Sequence, residues 1–281
     1  MIWLLVFFLV VELGIPVALW CVRDRLVFFP DAEPTAASRA HVVESAGGTL
    51  VSVRRPDGRL LAAYELAAPE LEPTAPVVLF LHGNAGNLAL RAELAVWLAR
   101  GLQVRLLMLD YSGYGENEGT PSEAELELDA LAAYDHLRAA GHDAGRIALF
   151  GESLGGALAL AVAAQRPCAG VIVQSSFASL AAMARAQFPW LPLAALLARG
   201  AFPSEQRARA LRCPLLVVHG TRDELVPFAQ GERLHAAAGA NAELLTLEGA
   251  GHNDVFERGG KPYLDELRGR LYGWMPSAEP R

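Results

Sequence analysis

The chain has few cysteines for its size, with only Cys21, Cys168 and Cys213 among 281 residues. None of them has CxxC spacing, and no cluster of histidines lies beside them. This scarcity excludes a disulfide framework and gives no support to a zinc site. The odd number favours free, mostly buried thiols, and it leaves room for a single disulfide pair.

Positive charge is also scarce, since the formal net charge is −7 and the arginines and lysines are scattered along the chain. This balance argues against a nucleic-acid groove and against a strongly basic membrane-surface patch. No internal repeat or low-complexity tract is present. The hydrophobic content of 53% over 281 residues is enough for one large α/β domain with an appendage. The sequence does not indicate an oligomeric state.

The first 22 residues contain no lysine or arginine and are mainly Leu, Val, Ile, Phe and Trp. As a helix, this segment would extend about 33 Å, enough to cross a hydrocarbon core. Glu12 opposes insertion by about 3 kcal/mol, which the apolar side chains outweigh. We therefore expect a single-pass transmembrane anchor, with a cleaved signal peptide or a buried helix as alternatives. Arg23 and Arg25 favour a cytoplasmic location for the following domain, Asp24 weakens that bias, and the orientation stays open.

Beyond the first 22 residues, β-like and helix-like segments alternate. Residues 31–76 contain extended runs and turns, which predict an antiparallel start to a sheet. Val77–Leu81 is a continuous apolar run of the kind found in strands buried on both faces. Further strands are predicted at residues 104–109, 147–150, 171–174, 215–218 and 243–247, and helices at residues 88–100, 122–140, 154–165, 228–238 and 261–274. This alternation predicts a mainly parallel sheet with helices on both faces.

The predicted domain organisation follows from these segments. We expect an anchor at residues 1–22, a juxtamembrane segment with the antiparallel start of the sheet at 23–76, an α/β core at 77–276 and a tail at 277–281. Within the core, residues 176–210 depart from a plain strand and helix unit because they combine aromatic side chains with prolines. We expect short helices there that cap the site, either as an apolar lid for an acyl chain or as ordinary packing over the sheet edge.

The sequence Gly151-Glu152-Ser153-Leu154-Gly155 lies between a predicted buried strand and a predicted helix. This context is typical of a nucleophile elbow, in which a serine sits on a strained turn and exposes its hydroxyl at the edge of the sheet. The helix that follows contributes backbone N–H groups and partial positive charge. We therefore predict that Ser153 is a nucleophile.

Two further strand ends supply the partners that such a serine needs. Asp223 follows one predicted strand and is our candidate acid, with the adjacent Glu224 as a substitute. His252 follows the last predicted strand, between Gly251 and Asn253, and is our candidate base. The histidine would remove the proton of the serine, while the carboxylate would orient the imidazole and stabilise its charged form.

An oxyanion hole would complete this site with two backbone N–H groups. Leu154 is expected to provide the first. The loop after the strand Val77–Leu81 is expected to provide the second, from Asn84 or, as an alternative, from Ala85. His82, Gly83 and Glu152 are expected to lie around the site and brace it, and His219 is more consistent with a buried bracing role than with catalysis.

These motifs resemble those of the α/β-hydrolase superfamily, in particular a subgroup of membrane-anchored, esterase-like abhydrolase-domain proteins. The resemblance rests on motifs that occur in the expected order along the chain: His82-Gly83-Asn84-Ala85-Gly86 after one strand, Asp110-Tyr111-Ser112-Gly113-Tyr114-Gly115 after the next, then the elbow, and last the Asp223 and His252 loops. It implies an α/β-hydrolase fold and hydrolysis of carboxylic esters or thioesters, without a metal or an organic cofactor. The expected partners are a small or lipid-like acyl substrate and, through residues 1–22, a membrane.

Two other functions remain open from the sequence. A peptidase or amidase could use the same Ser, His and Asp set. A non-catalytic, membrane-tethered scaffold could retain the fold without the reaction, although the presence of all three candidate residues argues against it.

Overall fold

The centre of the structure is an eight-stranded sheet. The computed structural model describes residues 23–72 and 74–276, together with residues 14, 15 and 18. The strands are β1 (Phe29–Pro30), β2 (Thr49–Arg54), β3 (Leu60–Ala67), β4 (Val77–Leu81), β5 (Ala85–Gly86), β6 (Arg105–Leu109), β7 (Ile147–Glu152), β8 (Gly170–Gln174), β9 (Leu215–Gly220) and β10 (Ala242–Leu247). The helices are α1 (Arg23–Val27), α2 (Ala36–Glu44), α3 (Ala92–Leu102), α4 (Glu123–Ala139), α5 (Leu154–Ala163), α6 (Leu180–Gln187), α7 (Pro192–Leu197), α8 (Ser204–Arg209), α9 (Phe228–Ala238) and α10 (Val255–Gly273).

The order of strands across the sheet is β10-β9-β8-β7-β4-β6-β3-β2. All pairs from β10 to β6 are parallel, whereas β3 pairs antiparallel with both β6 and β2. The mainly parallel sheet that the sequence predicts is therefore confirmed. Because the parallel strands all end at the same edge, the loops that follow β4, β7, β9 and β10 are brought near one another, and these loops contain the predicted site residues.

Two hydrophobic cores lie on opposite faces of the sheet, and β4 explains why its sequence is apolar throughout. Val77, Leu79 and Leu81 point into the core that α4, α5 and α9 cover. Val78 and Phe80 point into the core that α2, α3 and α10 cover. Side chains alternate between the faces of a strand, so a central strand between two helix layers needs an apolar residue at every position.

Two segments differ from the sequence-based expectation. Residues 36–44, expected to be extended, form α2, because the Thr35 side chain caps the helix by accepting a hydrogen bond from the Ser38 N–H. Their apolar residues also share one buried face of the helix. The last helix begins at Val255, earlier than predicted, with Gly260 in a non-helical conformation at φ +49°. Gly260 and the nearby Pro262 interrupt the helical pattern, which is why the sequence favoured a later start.

The expectation of a single-pass membrane protein is corrected. Among the residues that the structure describes, none belongs to a helix with both the length and the apolar character needed to cross a bilayer. The described helix next to the predicted anchor, α1, has five residues and covers only about 7.5 Å. The anchor itself was predicted at residues 1–22, which lie outside the described residues except for Gly14, Ile15 and Ala18. The membrane-anchored location derived from it was wrong.

Residues 176–210 contain three short helices, α6, α7 and α8, beside the edge of the sheet where the predicted site residues lie. Their outer surface exposes Phe188, Trp190 and Leu196, whereas Phe177 and Phe202 are buried beneath them. The side-chain amide of Gln187, at the end of α6, donates a hydrogen bond of 2.9 Å to the carbonyl of Leu225 in the loop after β9. This contact joins the helical segment to the loop that contains Asp223.

Candidate active site

Ser153 occupies a sharp turn between β7 and α5, with φ +52° and ψ −114°. Few residues other than glycine adopt a positive φ, so the surrounding structure must hold this conformation in place. The turn is possible only because its neighbours lack side chains: a Cβ on Gly151 would lie 2.1 Å from the Gly155 carbonyl oxygen, and one on Gly155 would lie 1.9 Å from the Leu81 carbonyl oxygen. The glycines therefore allow the helix to approach the sheet closely behind the serine.

The structure brings the three predicted residues Ser153, His252 and Asp223 together. His252 Nε2 lies 3.1 Å from Ser153 Oγ, and His252 Nδ1 lies 2.8 Å and 3.0 Å from the two carboxylate oxygens of Asp223. The arrangement indicates that Nδ1–H donates to the carboxylate and that Nε2 accepts from the serine hydroxyl. Each of the three residues is less than 9% exposed, so little water competes for these contacts.

The carboxylate of Asp223 is held ionised by several donors. The backbone N–H groups of Leu225 and Val226 donate to Oδ1 at 3.0 Å and 2.7 Å, and His219 Nε2 lies 3.4 Å from Oδ2. Burial by itself raises the pKa of Asp223, but the hydrogen bonds from His219, His252 and Val226 outweigh burial and hold the pKa below its ordinary value. The negative charge is therefore available to orient and stabilise a protonated imidazole.

The neighbouring carboxylate, Glu224, is the substitute acid considered from the sequence. Glu224 is exposed, whereas Asp223 is buried against His252. The turn of the loop after β9 therefore selects between two adjacent carboxylates.

The loop after β4 lies directly beside the serine. A Cβ built on Gly83 would be 3.6 Å from Ser153 Cβ, an ordinary van der Waals distance, so the Gly83 backbone lies in close proximity to the serine. Asn84 follows Gly83 in this loop, and Leu154 is the first residue of α5. The first N–H groups of a helix have no partner within the helix, so the Leu154 N–H is free of an intrahelical bond. Both predicted oxyanion donors therefore belong to segments that lie next to Ser153.

His82 is fully buried and braces this loop. Its Nδ1 donates a hydrogen bond of 2.7 Å to the Gly83 carbonyl, and its Nε2 lies 3.1 Å from Asp110 Oδ1. Burial lowers the pKa of His82, the charge of Arg91 lowers it further, and Asp110 opposes both. The bracing role expected from the sequence stays a prediction.

Glu152 has a different environment from the other predicted residues. It is partly exposed at the end of β7. The pKa of Tyr263 is raised first by burial and then by the charge of Glu152. The Tyr263 hydroxyl donates a hydrogen bond of 2.7 Å to the side-chain amide oxygen of Gln174. The backbone carbonyl of Gln174 accepts a hydrogen bond of 2.8 Å from the Ser153 N–H. Glu152 therefore lies near Tyr263 and near Gln174, the residue whose carbonyl holds the backbone of the Ser153 turn.

Three residues that support the site were not singled out from the sequence. Ser176 Oγ donates a hydrogen bond of 2.8 Å to the Ser153 carbonyl. The hydroxyls of Tyr111 and Tyr114 donate to the carbonyls of His82 and Asn84 at 2.9 Å and 2.8 Å. The two tyrosines belong to the motif at residues 110–115, on which the family resemblance partly rests. This motif could have drawn attention to them, but it does not show which groups their hydroxyls bind. Within the described residues, no group of three or more His, Cys, Asp or Glu side chains is placed to hold a metal ion.

Comparisons with known proteins agree with this architecture. A family model described as alpha/beta hydrolase fold matches residues 76–202, and one described as TAP-like protein matches residues 196–265. An uncharacterized protein of Mycobacterium tuberculosis is 40% identical over 256 residues, which cover 91% of this chain and 89% of that protein. The human alpha/beta hydrolase domain-containing protein 17C is 34% identical over 200 residues, which cover 71% of this chain and 58% of the human protein.

Solved structures show the same fold. An esterase of Pyrococcus furiosus superposes with a TM-score of 0.69 at 17% identity and covers 89% of this chain and 98% of its own. A puromycin-hydrolyzing peptidase of Mycobacterium tuberculosis superposes with a TM-score of 0.65 at 25% identity, covering 83% of this chain and 40% of its own. With the sheet order, the elbow and the sequence relatives, these matches identify the family: the chain belongs to the α/β-hydrolase superfamily.

Proposed function

We propose that this protein is a serine hydrolase that cleaves the carboxylic ester or thioester bond of a small acyl substrate. Ser153 is the nucleophile, His252 the general base and Asp223 the acid that orients the histidine. The proposal rests on one observation above all: His252 Nε2 lies 3.1 Å from Ser153 Oγ while its Nδ1 lies 2.8 Å from Asp223 Oδ2. A proton can pass from the serine to the histidine across the first contact, and the second stabilises the imidazolium that results.

In the first half of the reaction, Ser153 Oγ attacks the carbonyl carbon of the substrate as His252 takes its proton. The tetrahedral intermediate then collapses, and His252 gives this proton to the departing alcohol or thiol. The acyl group remains on the serine as an ester.

In the second half, His252 removes a proton from water, and the resulting hydroxide attacks the acyl-enzyme. Collapse of the second intermediate returns the proton to Ser153 and releases the carboxylic acid. The N–H groups of Leu154 and Asn84 would stabilise the negative oxygen in both intermediates.

The segment of α6 to α8 supports an acyl substrate with an apolar chain. It exposes Phe188, Trp190 and Leu196 beside the edge of the sheet where Ser153 lies, and large exposed apolar side chains grouped in this way are typical of a surface that contacts an apolar ligand. The hydrogen bond from the Gln187 side chain to the Leu225 carbonyl holds this segment against the loop that contains Asp223.

Amide hydrolysis is the second candidate. It is favoured by the similarity to the puromycin-hydrolyzing peptidase, since the same three residues can cleave esters and amides. Pairs of substrates that share an acyl group but differ in an ester, thioester or amide bond will separate the two candidates.

The first experiment is labelling with a fluorophosphonate probe, which reacts with activated serines. The wild-type protein should be labelled, Ser153→Ala should not, and the exposed Ser45→Ala is the matched control that should label normally. Ser153→Ala should also lower kcat on the preferred ester by at least about 10⁴-fold.

The possible results are distinct. Labelling that does not depend on Ser153 contradicts the assignment of the nucleophile. A complete absence of labelling and turnover in the folded wild-type protein favours a non-catalytic scaffold. Faster turnover of the amide than of the matched ester and thioester replaces the esterase proposal by the amidase.

A further inference from the structure

A short segment that precedes the sheet lies against the loop of Asn84. We define residues 27–34 as the strap. The Phe29 N–H donates a hydrogen bond of 2.9 Å to the Asn84 carbonyl, and the Asp31 N–H donates one of 3.2 Å to the Gly86 carbonyl. These bonds make β1 and β5 a separate two-stranded parallel sheet. The strap is therefore paired with the loop by its backbone.

Two side-chain amides of the loop also bind the strap. Asn84 Nδ2 donates a hydrogen bond of 2.8 Å to the Val27 carbonyl. Asn87 Nδ2 donates to the carbonyls of Asp31 and Pro34 at 3.0 Å and 2.9 Å. The strap thus donates hydrogen bonds to the loop, and the loop donates hydrogen bonds to the strap. At Asn84 these bonds hold both the backbone carbonyl and the side chain.

These contacts determine where the candidate oxyanion donors point. In a planar trans peptide, the C=O and the N–H point in opposite directions, so a bond to one fixes the other. His82 holds the Gly83 carbonyl and thereby orients the Asn84 N–H. Phe29 holds the Asn84 carbonyl and thereby orients the Ala85 N–H. Two consecutive peptides beside Ser153 are fixed, the first by a buried histidine and the second by the strap.

The strap is itself anchored in the core. Phe28 is only 4% exposed, and its ring lies 6.3 Å from that of Phe202, which precedes α8. The Tyr114 hydroxyl donates a second hydrogen bond to the Asn84 carbonyl, at 2.8 Å. The matched family region begins at residue 76, so the strap lies outside it and supports a loop inside it.

We propose that the strap is a positioning element for the oxyanion hole, acting through the side chain and carbonyl of Asn84 to keep the N–H donors of this loop aimed at the developing negative charge. The inference rests on the proposed serine hydrolase function and adds to it. Donors contribute most when they are in place before the reaction, because no rearrangement is then needed in the transition state. A loop between Gly83 and Gly86 has the conformational freedom to lose that alignment when its partner is removed.

The test removes the side-chain bond and leaves every backbone N–H in place. Asn84→Ala deletes the bond to Val27, Phe28→Leu loosens the core anchor, and the exposed Asn241→Ala is the control. For each variant, kcat and KM are measured on the preferred ester, together with the inhibition constant of a trifluoromethyl ketone with the same acyl chain. This ketone adds to the serine and forms an oxyanion, so its affinity reports on the oxyanion hole.

We expect Asn84→Ala to lower kcat by about 10-fold to 100-fold. This loss is smaller than that of removing an oxyanion-hole donor completely, because the N–H groups are still present but less well aligned. Its KM should stay within about threefold, and its ketone affinity should fall by the same factor as kcat/KM. Phe28→Leu should show the same pattern more weakly, and Asn241→Ala should match the wild type. Thermal unfolding checks that each protein is folded. If Asn84→Ala does not fold, the kcat and ketone affinity of Phe28→Leu test the inference in its place.

Two results overturn the inference. One is a folded Asn84→Ala protein, or in its place a folded Phe28→Leu protein, with kcat and ketone affinity within about twofold of the wild type. The other is a rise in KM with unchanged kcat, which would indicate a role in substrate binding instead. If either occurs while labelling still depends on Ser153, the inference fails and the proposed function stands. Loss of Ser153-dependent labelling in the wild type would instead contradict the proposed function.

Discussion

Oxidation of Cys168 and Cys213 should create a disulfide that stabilises the sheet. Cys168 lies just before β8 and Cys213 just before β9, and their Sγ atoms are 3.5 Å apart. The hydrogen bond between the thiols lowers the pKa of Cys213 and raises that of Cys168. One of the two thiols, as its thiolate, attacks a hydroperoxide and becomes a sulfenic acid, while the other peroxide oxygen leaves as hydroxide or alkoxide. The second thiol then attacks that sulfur, and water leaves as the disulfide forms.

The magnitude follows from the length of chain that the bond would close. The two cysteines are 45 residues apart. Closing a loop of this size removes conformational entropy from the unfolded chain, equivalent to about 4 kcal/mol at 25 °C before any strain is subtracted. The sulfurs must approach by about 1.5 Å to reach the length of a disulfide bond. The strain of this movement in the folded protein reduces the net stabilisation. A rise in Tm of up to about 7 °C is expected for a chain of 281 residues.

The assay compares peroxide-treated and reduced protein by thermal unfolding, with peptide mapping to find the crosslink. Cys168→Ser should abolish both the crosslink and the rise in Tm, whereas Cys21→Ser is the control that should retain them. Turnover should be unchanged, because the two cysteines precede their strands while the Ser153 site lies at the opposite ends. The reasoning is refuted if both thiols still react with iodoacetamide after treatment, or if the crosslinked protein unfolds at a lower temperature.

Three further predictions concern the site itself. Gly155→Ala would place a Cβ 1.9 Å from the Leu81 carbonyl oxygen, so we expect a loss of about 3 kcal/mol or more in the free energy of unfolding by urea and loss of Ser153 labelling. Gly269→Ala is the control, since nothing lies within 4 Å of its Cβ, and an unaltered Gly155→Ala protein would contradict the steric argument. Asp223→Asn should lower kcat by about 10³-fold to 10⁴-fold, because the amide cannot hold the required histidine tautomer. The pKa of Asp223 is lowered by folding, so its charge stabilises the wild type above about pH 4 and this gain is lost as the pH falls further. Urea unfolding should therefore show a stability difference between wild type and Asp223→Asn that shrinks in acid, and a difference independent of pH would refute this.

The membrane prediction shows where sequence reasoning overreached. It used the hydropathy of residues 1–22, a property that short apolar helices, signal peptides and anchors share. Among the residues that the structure describes, no helix meets the requirements for crossing a bilayer. The strap was also missed, because residues 27–34 have no periodicity that indicates pairing with a loop more than 50 residues away.

Several features of the site were readable because they are local. The glycines around Ser153 indicate a tight strand-to-helix turn, since a Cβ at Gly151 or Gly155 would collide with backbone. The strand pattern places Asp223 and His252 at the same edge of a parallel sheet, because all such strands end there. Their roles as acid and base stay predictions that the proposed experiments test.

By itself, the sequence determined the alternation of strands and helices, the elbow at Ser153 and the order of the candidate residues, because each depends on a pattern within one segment. Only the tertiary structure decided that Asp223 rather than Glu224 meets His252, that Cys168 approaches Cys213, and which groups hold the loop of Asn84. These contacts join segments that are far apart in the chain, and they follow from how the sheet twists and its loops close, which no local pattern encodes.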